Sequence, residues 1–337
     1  MAIDAALVAR LFDLGEPRSE PVPLVGNGTA GAWRLDTGTG RWVVKAARAV
    51  RPWEFAAMRD AGDLERAAMS AGVRVPRPLE PRGESAGYWA AVPGGPEYVR
   101  VSEWVPGRQP RIPADKWLAG WLGETVAVMA AAAPPATADQ GRGYALSELS
   151  EWRERLGRAA DVIGPEAAGR LLAAVQEGIE IVEAGLATAP DFVLCHRDIS
   201  FRNILLTGRG PALIDFDLAG PEVPWWELVH FAFLLACAAL GDDEPEPALI
   251  EAAVSAYTER GGRVGTADAV AFTGLLRGML EWAAGNLALA GPPGRGGTVK
   301  PSVRAEAVAR LADAAEVLPV IVRSIDRWAN LLESAST

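Results

Sequence analysis

Cys195-His196-Arg197-Asp198-Ile199-Ser200-Phe201-Arg202-Asn203-Ile204-Leu205-Leu206, CHRDISFRNILL, holds one of only two histidines and one of only two cysteines in the chain. Arg-Asp follows the histidine, and Asn203 stands five residues after Asp198 at the head of an apolar run. Asp and Asn are ordinary turn residues, because their short side chains bond the local backbone. Alone, the stretch reads either as a loop before a strand or as a loop that carries chemistry. Further along, Asp215 sits in ALIDFD, seventeen residues after Asp198 with a hairpin pattern between them. The rest of the chain has to decide between the two readings.

Composition narrows the field. At 337 residues, 50% hydrophobic and 23% charged, the chain can bury a large core and is long enough for two domains. Its mean hydropathy of +0.10 excludes wholesale disorder. The N-terminal MAIDAALVARLFDLGEP has the pattern of an amphipathic helix, without the basic region and long apolar stretch of a signal peptide. The longest apolar run, LVHFAFLLACAAL from Leu228, is short of the ~20 residues that span a bilayer, so no membrane partner is expected. Two cysteines outside any CxxC give no disulfide framework, and the expected compartment is the cytoplasm. Net charge is -10, and the excess acid lies mostly after Phe216, with 16 acidic against 9 basic residues. That argues against nucleic acid, whose phosphates need a basic face. It suits a cationic small molecule, and it also simply keeps a protein soluble. Of 33 basic residues only Lys45, Lys116 and Lys300 are lysines, so a lysine marks a place where a compact ammonium serves better than a planar fork.

Periodicity divides the chain. A short helix over 3–14 precedes PLVGNGTAGAWRL and GRWVVKAA, two apolar runs joined by TGTG that read as a hairpin ending on Lys45. Residues 52–71 read as a helix, with Pro52 in its first turn and Gly72 past its end. YWAAVPGG and EYVRVSEWVPG are strand candidates. Beyond Pro113 the period becomes helical, over 114–133, 147–160, 165–186, 225–240, 247–260, 266–290 and 302–334. One small β patch interrupts it at 192–215, and PPGRGG at 292–297 reads as a loop. The expected fold class is α+β, with a β-rich lobe over 1–103 and a larger, mainly helical lobe over 104–337.

Transfer of a γ-phosphoryl group asks a protein for charge and placement more than for covalent chemistry. Each need has a candidate. Asp198 can accept the proton of an attacking hydroxyl and aim its oxygen. Asn203 and Asp215 offer the hard oxygens that suit Mg2+, which prefers few protein ligands and retains water. Lys45 can reach the α- and β-phosphates, held by a glutamate from the 52–71 helix. Gly26, Asn27, Gly28 and Gly31 can either bring backbone N–H groups close to phosphates or merely turn a hairpin. Trp225, Trp226, Glu281 and Trp282 can form a wall for a sugar or an amine, although some of the 12 tryptophans must be core.

H-R-D-x-x-x-x-N followed by I-D-F, with a glycine-bearing hairpin and a strand lysine upstream, resembles the protein-kinase-like fold. The finer likeness is to the aminoglycoside phosphotransferase family of small-molecule kinases. LCHRDISFRNILL with ALIDFDLAGPEVPWWELVHFA resembles that family's catalytic loop, metal-binding segment and following helix. LERAAMSAGVRVPRPL resembles its glutamate helix, and YVRVSEWVPG its interlobe linker. Only GPEVP follows Leu218-Ala219 before the next helix, which leaves no room for the activation loop of a protein kinase. The resemblance implies a two-lobed fold with ATP or GTP and Mg2+ in the cleft, and a small-molecule acceptor such as an aminoglycoside, another antibiotic or an amino sugar. A metabolite kinase of the same fold, for choline, a sugar or a hydroxy amino acid, and a non-catalytic nucleotide-binding module are the alternatives. It further implies that His196 braces the catalytic loop, that Glu65, with Glu54 as the alternative, holds Lys45, and that adenine docks on the backbone around Glu103, Trp104 and Val105. Glu227 stands where the family usually carries Asp to anchor the catalytic loop. Asp217 stands where protein kinases carry Gly, and can bind the metal or cap a turn.

Overall fold

In RWVVKAAR alternate side chains point to opposite faces of a strand, so Trp42, Val44 and Ala46 share one face while Val43, Lys45 and Ala47 share the other. The computed structural model describes residues 3–24, 31–141, 143, 146–188, 190–239, 241–291 and 300–336, and realises that alternation. These residues form two compact units. One gathers Met1–Pro110, Ala132–Gly143 and Val193–Pro221, and the other Arg111–Ala131, Tyr144–Phe192 and Glu222–Thr337.

The first unit begins with α1 (Ala5–Phe12), whose first turn is capped by the Asp4 carboxylate accepting the Leu7 N–H at 3.0 Å. Strands β1 (Val22–Pro23), β2 (Ala32–Asp36) and β3 (Arg41–Arg48) lead to α2 (Pro52–Ser70). Three more follow, β4 (Ser85–Ala86), β5 (Trp89–Ala91) and β6 (Glu97–Glu103). The sheet is antiparallel in the order β1-β2-β3-β6-β5-β4. One face buries Leu35, Val44, Val99 and Val101 against Val8 and Phe12 of α1. Each such buried side chain contributes roughly 1.5–3 kcal/mol. The other face carries Tyr98, against which Phe55 of α2 packs edge-on at 5.5 Å. On α2 the buried positions Ala61, Leu64, Glu65 and Ala68 recur at helical spacing, so a glutamate lies on the face that the helix buries. Arg51 and Glu54 close the start of α2, where Glu54 Oε2 accepts the N–H groups of Val50 and Arg51.

The same unit contains β7 (Val193–Cys195), fixed by Leu194 N–H donating to the Pro134 carbonyl at 2.9 Å. The hairpin of β8 (Ile204–Thr207) and β9 (Gly210–Leu213) follows, turning at Gly210 with φ 103°. Arg108 and Leu206 exchange backbone hydrogen bonds at 3.2 and 2.8 Å, which ties the segment after β6 to that hairpin.

The second unit is helical: α3 (Lys116–Ala132), α4 (Leu149–Ile163), α5 (Pro165–Ala187), α6 (Pro224–Ala236), α7 (Pro247–Glu259), α8 (Thr273–Ala290) and α9 (Pro301–Ser336). The helix expected over 266–290 begins only at Thr273. Asp268 accepts the Val270 N–H and winds Ala269–Phe272 into a 3-10 turn first. The long α9 carries Pro319 in its interior, at a cost of ~3 kcal/mol. Burial of Leu318, Ile321, Ile325 and Trp328 around it offsets that several times over. Among the described residues no helix is long and apolar enough to cross a membrane. The architecture is α+β and protein-kinase-like, an antiparallel sheet in one part and a larger, mainly helical part.

Candidate active site

The loop after β7 is held by its histidine. His196 is fully buried, and its Nδ1 accepts the Asp198 N–H at 3.2 Å, which makes Nε2 the protonated nitrogen. Nε2–H donates to the Ile214 carbonyl at 3.1 Å, so one ring joins the residue before Asp215 to the backbone of Asp198. Phe216 packs on the ring at 4.5 Å. Burial holds the imidazole down at about 4, neutral as both hydrogen bonds require.

Asp198 and Asn203 meet directly. The backbone of Phe201–Asn203 winds into a 3-10 turn, and Asn203 Nδ2 donates to the Asp198 carbonyl at 2.9 Å and to its Oδ2 at 2.7 Å. Burial, with the charge of Asp215 adding to it, pushes the Asp198 carboxyl up to about 6, against hydrogen bonds from Ser200 and Asn203. Arg197 and Asp215 both sit in the left-handed region, at φ 64° and 69°. Such backbone costs ~1–2 kcal/mol at a residue with a Cβ and is imposed by its surroundings. At Asp215 these are the His196 bond to Ile214 and the Ile214 N–H donated to Asn203.

Lys45 lies in the same unit. Its Nζ contacts Asp215 Oδ1 at 2.6 Å and Asp217 Oδ2 at 2.8 Å. Burial weakens the ammonium, but Asp217 and Asp215 outweigh it and hold its pKa above the usual lysine value. Glu65, expected to hold Lys45, instead places both carboxylate oxygens on Arg100 Nη2, at 2.9 and 2.8 Å. Arg100 reaches on through Nη1 to Asp217 Oδ1 at 3.2 Å. Asp217 thus has one oxygen on each cation. Glu54 belongs to the start of α2 and pairs with Arg51.

Arg100 is the member that sequence reasoning missed. In the sequence Arg100 alternates with Val99 and Val101, the pattern of a strand whose second face meets water, so nothing local marked it as buried. What the sequence lacked was the register, which sets Arg100 directly opposite Lys45.

Gly26 and Gly28 lie outside the described residues. Glu103 closes β6, where its carboxylate pairs with Arg77 at 2.8 Å and its N–H donates to the Arg77 carbonyl, and Val105 follows it within the same unit. Trp225 and Trp226, expected as a substrate wall, are core residues of the second unit, 2% and 4% exposed. Trp225 Nε1 donates to the Thr266 carbonyl at 2.8 Å and its ring packs on Tyr257, while Trp226 meets Phe192 edge-on. A stacking surface needs an open face, and these rings have none. Glu281 is exposed and ion-paired with Arg277 at 2.7 Å. Glu227 is buried in α6.

The donors fit a hard divalent cation. An ionised carboxylate only accepts, so the contact with Asp198 must use the amide NH2 of Asn203 and turns its Oδ1 the other way. Asn203 Oδ1 and the Asp215 carboxylate are each hard oxygen donors of the kind that suits Mg2+. Among the described residues no group of three or more His, Cys, Asp or Glu stands together as a metal cage.

The phosphotransferase enzyme family model (APH) matches residues 22–268. The crystal structure of a spectinomycin phosphotransferase with ADP and spectinomycin superposes with a TM-score of 0.64 at 12% identity, over 95% of this chain and 97% of the other. A microcompartment-associated aminopropanol kinase gives 0.59 at 17% identity over 99% of each chain. A choline/ethanolamine kinase family protein from Mesorhizobium loti gives 0.56 at 20% identity, over 98% and 97%. A search of curated proteins found no match. With the family model covering most of its length, the chain belongs to the APH family of phosphotransferase enzymes, kinases that act on hydroxyl groups of small molecules.

Proposed function

We propose that this enzyme moves the γ-phosphate of ATP or GTP, with Mg2+, to a hydroxyl of a small, polar, cationic molecule of the aminoglycoside or amino-sugar kind. One observation carries the reading: a single compact unit holds Asp198 bonded to Asn203 and Lys45 bonded to Asp215. Asp198 takes the proton of the acceptor hydroxyl as its oxygen bonds to the γ-phosphorus and the bridging oxygen departs with the nucleoside diphosphate. Its raised pKa makes it a stronger base than an ordinary carboxylate. Asn203 Oδ1 and Asp215 hold Mg2+, which when bound neutralises phosphate oxygens. Lys45 exchanges its contact with Asp215 for the α- and β-phosphates. The backbone of Glu103 and Val105 receives the base.

The excess of acidic residues after Phe216 supports a cationic acceptor, as does the likeness to a spectinomycin kinase. A second reading, phosphorylation of a small amino alcohol, is supported by the likeness to aminopropanol and choline/ethanolamine kinases. Incubation of the protein with ATP or GTP, Mg2+ and a panel of aminoglycosides, amino sugars and amino alcohols, read by mass spectrometry, separates them. Gain of one phosphate by an aminoglycoside or amino sugar is expected. Gain only by amino alcohols selects the second reading, and no gain by any acceptor overturns both.

A further inference from the structure

We propose that Arg100 is a positioning residue for the phosphate-binding lysine, through which Glu65 acts on Lys45 by way of Asp217 rather than by a direct ion pair. Lys45 and Arg100 stand directly opposite on β3 and β6 with their side chains on one face. Like charges in that relation repel unless an anion lies between them. Asp217 is that anion, with Oδ2 on Lys45 at 2.8 Å and Oδ1 on Arg100 at 3.2 Å. Arg100 is 7% exposed and lies over the Trp89 ring at 5.8 Å, so its guanidinium is fixed by packing as well as by charge. Glu65 is 2% exposed, with both oxygens on Arg100 Nη2. A planar fork can serve two carboxylates at once, which an ammonium in that place cannot do with the same geometry.

The arrangement has a consequence for phosphate binding. Lys45 has two anions, Asp215 and Asp217. Asp215 is also assigned to the metal, so the Asp217 contact is the one that keeps the ammonium in place when Asp215 turns to another partner. Asp217 in turn is held by Arg100, and Arg100 by Glu65. The buried glutamate therefore tunes a lysine that it does not touch. This inference rests on the reading of Lys45 as a phosphate-binding residue.

Titration calorimetry of the full chain with Mg2+ and AMP-PNP tests it without knowledge of the acceptor, and adenosine serves as a phosphate-free control. Lys45→Met is expected to weaken AMP-PNP by more than about tenfold, and Glu65→Gln and Arg100→Gln by about tenfold each. All three should bind adenosine as the parent does, which a general loosening of the sheet would not allow. The Glu65→Gln/Arg100→Gln double variant should bind no more weakly than either single variant, because both act along one route. Arg100→Lys should fail to restore affinity. A removed partner leaves a buried charge, so a single variant can fail to fold. The neutral double variant and Asp217→Asn then carry the test, with Asp217→Asn expected to add less than about twofold in the double background. Additive losses in either cycle, or parental AMP-PNP affinity in Arg100→Gln, would overturn the role of Arg100. Lys45→Met binding AMP-PNP like the parent would instead remove the functional reading, and this proposal with it.

Discussion

Asp198 owes its assigned chemistry first to burial, which with the nearby charge of Asp215 raises its pKa, and then to the histidine that fixes its backbone and the amide that orients its Oδ2. Asp198→Asn keeps the shape and removes the proton acceptor. Turnover should fall ~10²–10⁴-fold while AMP-PNP affinity stays near that of the parent, as steady-state kinetics and calorimetry would read. Near-full activity in that variant would refute the base assignment. Asp215→Ala removes an oxygen assigned to the metal and also frees Lys45 from one of its anions. Mg2+-dependent binding of AMP-PNP should disappear, and unchanged binding would count against the metal role. The residue types and spacing of this group were legible in the sequence, because a base, an amide and a carboxylate in fixed order around a hairpin are a local pattern. Their hydrogen bonds were not. That Asn203 donates its NH2 to Asp198 follows only from the two side chains meeting across the 3-10 turn.

At the scale of elements, the hairpin before Lys45 and the helix after Pro52 follow from local rules: a TGTG turn between alternating strands, Pro at the start and Gly at the end. The helices of the second unit were legible in number and type, and their ends less so, because side-chain bonds such as those of Asp268 reset the start of α8. Gly123 shows a choice that only packing explains. It lies within α3, where alanine would be favoured by about 1 kcal/mol on propensity. Yet a Cβ there would lie 1.9 Å from the Ala253 carbonyl oxygen and 2.9 Å from the Tyr257 nitrogen, both backbone atoms of α7. Overpacking against backbone costs ~1–3 kcal/mol or more, so sterics win. Gly123→Ala is expected to lower the urea midpoint, and an unchanged or raised midpoint would show that the helices can part at little cost.

At the scale of the whole molecule, both histidines are buried and neutral, His196 at about 4 and His230 at about 3. For His230 burial is the main cause, and the Arg277 cation adds to it. Each is depressed from 6.5, so the unfolded chain takes up protons that the folded chain refuses. The stability this confers is complete above pH 6.5 and is lost as the pH falls toward the folded values, with a slope of about 1.4 kcal/mol per pH unit for each histidine. Urea midpoints should therefore drop between pH 7 and pH 5, and His230→Gln should reduce the drop; an equal drop in both proteins would exclude His230 as a cause. The sequence by itself determined the class of the fold, the order of its elements and the set of chemical groups, because periodicity, turn residues and motif spacing are short-range properties of the chain. Only the tertiary structure decided that Glu65 binds Arg100, that Asp217 lies between two cations, and that Trp225 and Trp226 are core. Those outcomes depend on strand register and on which faces are buried, and both are fixed by contacts between residues far apart in the chain.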